Sequence, residues 1–113
     1  MTNKSGINAE ILDRLFKVVE SRRGGDPALS YTAKLLAAGT PKIAQKVGEE
    51  AVETVIEALA LRDSKLVEES ADLLYHLLVL WAVKGVRPEE VWTVLLDRFG
   101  ISGMDEKNSR GEN

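Results

Sequence analysis

"KVGEEAVETVIEALALRDSKLVEESADLLYHLLVLWAV", residues 46–83, decides the fold. On either side of a short break at Arg62–Ser64, apolar residues recur at helical rather than strand spacing. So short a connection makes the two helices antiparallel neighbours. In the first, Lys46, Glu50, Glu53 and Glu57 share an arc of about 60°, with Glu49 to one side. Val47, Ala51, Val52, Val55, Ala58 and Leu59 take the opposite arc, as in any amphipathic helix. The second helix is apolar almost all round from Leu73 to Val83, the pattern of a helix buried in a core or against another subunit. Yet Glu69, Asp72 and His76 share one of its arcs, and that arc opens onto the buried face.

Outward from this pair the reading stays helical. A first helix is expected over about Asn8–Arg22, ended by "RRGGDP" (22–27), and a short one over 29–39, closed by Gly39. Thr40 is the expected N-cap of the long third helix, with Pro41 at its first position and an end near Leu61. Asp63 or Ser64 should cap the fourth, which runs to about Lys84 and stops at Gly85. A fifth starts at Pro88, carries Glu89 and Glu90 in its first turn, and ends near Gly100. The fold class is therefore all-α: a small bundle of four to five helices in one domain spanning 1–113, with a polar tail after residue 100. A helix as apolar as 73–83 in so small a domain points to a subunit interface and a homodimer.

Composition narrows the classes of function. The chain has 113 residues, 44% hydrophobic and 29% charged, as in ordinary globular proteins. With no cysteine it has no disulfide, thiolate metal site or thiol nucleophile. A formal charge of −3 offers no basic surplus for nucleic acid. The N-terminus lacks a signal-peptide pattern, and the longest apolar run, 73–83, is far short of a bilayer span of about 20 residues, so no membrane role is expected. The expected location is the cytoplasm.

Counting from the middle of the turn, Glu53 and Glu69 lie at about the same height, and Glu50 and Asp72 match one turn farther out. Two i,i+3 carboxylate pairs on facing helices make an oxygen-rich cage suited to Mg²⁺ or Mn²⁺. A purely solvated acidic surface is the alternative. A di-iron centre is disfavoured, because such a bundle needs two ExxH motifs and this chain has one histidine.

"EEAVE" (49–53) followed by "ESAD" (69–72) resembles the EExxE…ExxD signature of the MazG-like all-α NTP pyrophosphohydrolases. The segments "ESRRGGDP" (20–27), "SYTAKLL" (30–36), "KIAQKVGEEAVE" (42–53), "ESADLLYHLLVL" (69–80) and "GISGMDEKNSR" (100–110) are similar to the phosphoribosyl-ATP pyrophosphatase family within it. That resemblance implies Mg²⁺-dependent hydrolysis of phosphoribosyl-ATP to phosphoribosyl-AMP and pyrophosphate, the second step of histidine biosynthesis, with Mn²⁺ as a substitute ion. The sister enzymes acting on dUTP- or dCTP-type triphosphates share the same acids and stand as the alternative. By resemblance Glu50, Glu53, Glu69 and Asp72 occupy the ligand positions. Glu49 falls on the remaining glutamate, either an orienting group or the base for the attacking water.

Several cations suit a polyphosphate substrate. Lys46 lies on the acidic face; Arg22 and Arg23 are either partners of the first helix's dipole or substrate contacts. Lys34, and Lys107 with Arg110 in a tail expected to close over the phosphates, follow from the resemblance. Tyr31 could border the nucleotide. His76 is expected to be buried and hydrogen-bonded to Asp72 or a backbone carbonyl rather than bound to metal, and Trp81 and Trp92 to pack in the core or an interface. Glu57 matches no position of the signature and reads as surface.

Overall fold

A computed structural model describes residues 6–99, which form five helices and, among the described residues, no strand. They are α1 (Glu10–Ser21), α2 (Tyr31–Ala38), α3 (Thr40–Leu59), α4 (Asp63–Lys84) and α5 (Pro88–Asp97). No described helix is long and apolar enough to cross a membrane.

The helix ends are where the expected residues change roles. The Ser30 side chain caps α2, its Oγ accepting from the Ala33 N–H at 3.1 Å. Thr40 is already helical; Gly39 both ends α2 and starts α3, at φ 91° and ψ 177°. A one-residue corner at that positive φ is open to glycine and strains an L residue, which leaves Thr40 no room to act as the cap. Neither Asp63 nor Ser64 caps α4, since both fall inside its first turn and Arg62 stands at the boundary. Gly85 ends α4 in the left-handed conformation, as expected. At the start of α5, the Glu90 carboxylate accepts from the Arg87 N–H at 2.8 Å.

α4 is the organising element: α1, α2 and α3 all pack on it, α3 most extensively. The core joins Val19 of α1, Leu35 of α2, Ile43 of α3 and Val79 and Ala82 of α4, with Phe16, Leu36, Tyr75, Leu80 and Val83 against it. Each large aliphatic side chain removed from water here contributes about 1.5–3 kcal/mol. Trp81 and Trp92 meet edge to face at 5.8 Å, tying α5 to α4, and Trp92 Nε1 donates to Asp13 of α1 at 3.1 Å.

The apolar faces are covered unequally. Within 73–83, His76, Leu78, Val79 and Ala82 are buried while Leu74 is 44% exposed, so part of the run packs inside the chain and part stays open. The apolar stripe of α3 is covered chiefly at its start. Ile43 is fully buried, but Val52, Val55 and Leu59 are 57%, 57% and 79% exposed. Apart from α4, which packs on α3 most extensively, only α2 among the described helices makes a substantial contact with α3.

Candidate metal centre and its lysine flank

The α3–α4 turn sets the site. Leu61 adopts a left-handed φ of 59°, and the Arg62 N–H returns to the Glu57 carbonyl at 3.1 Å, closing α3 and reversing the chain within a few residues. The Arg62 guanidinium pairs with the Glu57 carboxylate. The Glu57 side chain is only 12% exposed, so it is a fastening of the turn rather than loose surface. The signal was present in sequence as an acid five residues before an arginine across a helix end.

Above this turn, Glu50, Glu69 and Asp72 each bring a carboxylate oxygen within 4.8 Å of the other two. Glu50 and Glu69 are half-buried and Asp72 is exposed. The Glu69 carboxyl is pushed above its ordinary value, first by lost solvation, then by a hydrogen bond with Glu50 and by the charges of Glu50, Asp72 and Glu53. Glu53, expected at the same height as Glu69, acts on it through its charge but lies outside the close trio and is exposed. Matching heights along two helices does not fix which way a side chain turns, and three like charges already crowd the space.

The trio fits a hard divalent cation. Oxygens about 2.1 Å from a shared Mg²⁺ lie no more than about 4.2 Å apart, so only a small contraction is needed. The Glu69 carboxyl is raised first by lost solvation and then by its acidic neighbours, and a bound cation would offset both.

Glu49 faces another way. It accepts from Gln45 Nε2 at 2.8 Å and pairs with Lys46 at 3.3 Å, and these contacts, Gln45 first, hold its carboxyl below the usual range. A carboxylate so held is a weak base, and its geometry is that of a partner for Lys46. The same contact is the largest cause raising Lys46, helped by the charges near Tyr31, Glu49 and Glu50.

His76 is 5% exposed, as expected of a core histidine. Its Nδ1 donates to the Asp72 carbonyl at 2.8 Å, which leaves Nε2 bare to accept from the Tyr31 hydroxyl at 3.3 Å. Tyr31 leans on Tyr75 with ring centroids 6.3 Å apart, and the Tyr75 hydroxyl bonds Thr32. Burial raises the Tyr75 phenol above its ordinary value.

Of the other expected contacts, Arg23 is already engaged: its Nη2 donates to the Ala82 carbonyl at 2.6 Å and its guanidinium pairs with Glu20. Arg22 is exposed and reaches Ser21 Oγ at 3.4 Å. Lys107 and Arg110 lie outside the described residues. Lys34, Lys46 and Tyr31 share a pocket of about 160 Å³ with Leu35, Ala38 and Lys42. Lys42 is the member that sequence reasoning missed, although its place one turn before Lys46 was a usable signal. A cavity of about 430 Å³ between α1 and the start of α5 carries none of these residues.

Fold and site together define an all-helical protein that presents a carboxylate cluster beside a lysine-lined pocket, the class of the helical nucleotide pyrophosphohydrolases. Comparison with known proteins narrows the class. A profile of the family "Phosphoribosyl-ATP pyrophosphohydrolase" matches residues 12–99, and the chain belongs to that family. It is 60% identical over 104 residues to a phosphoribosyl-ATP pyrophosphatase of Azospirillum brasilense, covering 92% of this chain and 94% of that protein. Proteins of the same name from Paramagnetospirillum magneticum and Trichlorobacter lovleyi are 59% and 50% identical over 105 residues, each covering 93% of this chain and 96% and 97% of their own length.

Proposed function

We propose that this chain hydrolyses phosphoribosyl-ATP to phosphoribosyl-AMP and pyrophosphate, the second step of L-histidine biosynthesis, acting in the cytoplasm as a Mg²⁺-dependent homodimer. The observation that carries the reading is the convergence of Glu50, Glu69 and Asp72 from two helices, on a chain of this family. Glu50, Glu69 and Asp72 hold the ion, and Glu53 joins from the rim. When bound, the ion supplies charge neutralisation for the phosphate oxygens and acidifies a bound water, which suits cleavage between the α- and β-phosphates. The chain's own residues do the rest. Lys46 meets a phosphate oxygen, and Glu49 keeps that ammonium in place rather than serving as the base. Tyr31 and Lys34 border the substrate, with Arg22, Lys107 and Arg110 as further phosphate contacts; Arg23 serves chiefly to fasten α1 to α4.

The dimer reading rests on the uncovered apolar face of Val52, Val55, Ile56 and Leu59 on α3, continued by Val67 and Leu74 on α4. A panel of phosphoribosyl-ATP, dUTP, dCTP and ATP with Mg²⁺, read out as pyrophosphate release, tests the activity. Phosphoribosyl-ATP should be the preferred substrate; preference for a free triphosphate would sink the reading.

A further inference from the structure

The acid cluster accounts for one end of a substrate of this kind and leaves the other unanswered. Phosphoribosyl-ATP carries two separate anionic groups: the triphosphate, where the bond breaks, and the monophosphate of the added ribose. Only the first is served by a divalent ion among carboxylates. A bare monophosphate near Glu50, Glu69 and Asp72 would be repelled, so it needs cations of its own.

The pocket at the α2–α3 corner offers them. Lys34 comes from α2, and Lys42 and Lys46 from successive turns of α3. Leu35, Ala38 and the Tyr31 ring complete the lining. Gly39 makes the corner tight enough for lysines of both helices to border one space. The three cations are not equivalent. Lys46 is committed to Glu49 at 3.3 Å and stands one turn from Glu50, so it forms the border with the acid cluster. Lys34 and Lys42 are exposed, and neither makes a salt bridge among the described residues. From Lys42 to Glu50 is about 12 Å along the helix, far enough to separate two phosphate groups of one ligand. The pocket volume, about 160 Å³, lies below the range for a whole drug-sized ligand. It suits one end of a longer molecule.

We propose that Lys34 and Lys42, in the pocket at the α2–α3 corner, form a metal-independent phosphate subsite that holds the phosphoribosyl 5′-phosphate. The subsite lets the enzyme select phosphoribosyl-ATP over ATP, which has nothing to place there. The assignment rests on the functional reading above for the identity of the ligand, and on the lysine geometry for the site itself.

Ribose 5-phosphate, titrated calorimetrically in EDTA, is the probe. The wild-type chain should bind it, and Lys34→Gln/Lys42→Gln should lose affinity about tenfold or more. Lys42→Arg should keep most of it by retaining the charge. With phosphoribosyl-ATP and Mg²⁺, the double variant should raise KM by a similar factor with a much smaller change in kcat. The affinity for ATP with Mg²⁺ should fall far less than that for ribose 5-phosphate. No ribose 5-phosphate binding by the wild type, equal binding by the double variant, or an equal loss for ATP overturns the subsite. A wild type that binds ribose 5-phosphate through these lysines yet does not turn over phosphoribosyl-ATP would overturn the functional reading instead and leave the phosphate subsite standing. Both lysines are exposed, so the substitutions leave the fold intact.

Discussion

At one end of the α3–α4 pair, Ile43 and Val79 are fully buried beneath α1 and α2; at the other, Val55 and Leu59 stand mostly open. The residue types are the same and so is the helical spacing. What differs is whether the chain has another helix to lay over them. The packed end holds the fold, the open end is the face proposed above to meet a second copy, and the carboxylate trio lies between them. A site at that boundary takes its rigidity from one side and has access to solvent or a partner on the other.

The sharpest way to test this division is at the boundary itself. Asp72→Asn should lower kcat/KM for phosphoribosyl-ATP more than about a hundredfold, beyond the usual cost of losing a group that only supports a metal ligand, with helical circular dichroism retained. Intact Mg²⁺-dependent hydrolysis would return the trio to the status of solvated acids.

Ile43→Ala should destabilise the packed end by about 2–5 kcal/mol in urea unfolding at any protein concentration. At the open end, Leu59→Asp should leave the secondary structure in place and shift sedimentation from dimer toward monomer. A wild type that sediments as a monomer would mean that the open face serves some other contact.

A subtler test uses the trio's crowding. Glu69 has its carboxyl raised from an ordinary 4.5, so the fold disfavours its ionised form. That penalty is absent at low pH and grows as pH rises from 4.5 through the raised folded value. Glu69→Gln should therefore raise the metal-free melting temperature at pH 7 and give no gain near pH 3. Mg²⁺ should then stabilise the wild type more than the variant; a variant less stable than wild type without metal would contradict the crowding. The smallest effect is expected at the turn: Leu61→Gly relieves a left-handed φ worth roughly 1–2 kcal/mol, less what glycine loses in chain entropy. Urea midpoints of the two proteins would read the difference.

Much of this was legible before any coordinates. Periodicity and the Gly and Pro breaks located all five helices, because a helix's apolar stripe and its ends are local properties. His76 was readable as a core residue because its neighbours on α4 leave it nowhere else to go. The stripe on α3 was legible as amphipathic, but a run of Val and Leu does not record whether the same chain covers it. The caps at Thr40 and Asp63 were misplaced because corners this tight absorb the capping position into the helix. Lys42 was passed over, although it stands one turn before Lys46, because its meaning comes from Lys34, across a corner that only the fold closes.

The imidazole of His76 also bears on how the molecule comes together. It bridges Asp72 on α4 and Tyr31 on α2, in a place almost closed to water. Until α2 docks, Nε2 has no protein partner within this network, and burying it bare would cost about 1–3 kcal/mol. The second helix is therefore expected to seat as a single cooperative event, with the last of the core and the wall of the lysine pocket formed together. A chain caught with its acids aligned but α2 undocked would own a place for the ion and no place for the rest of its ligand.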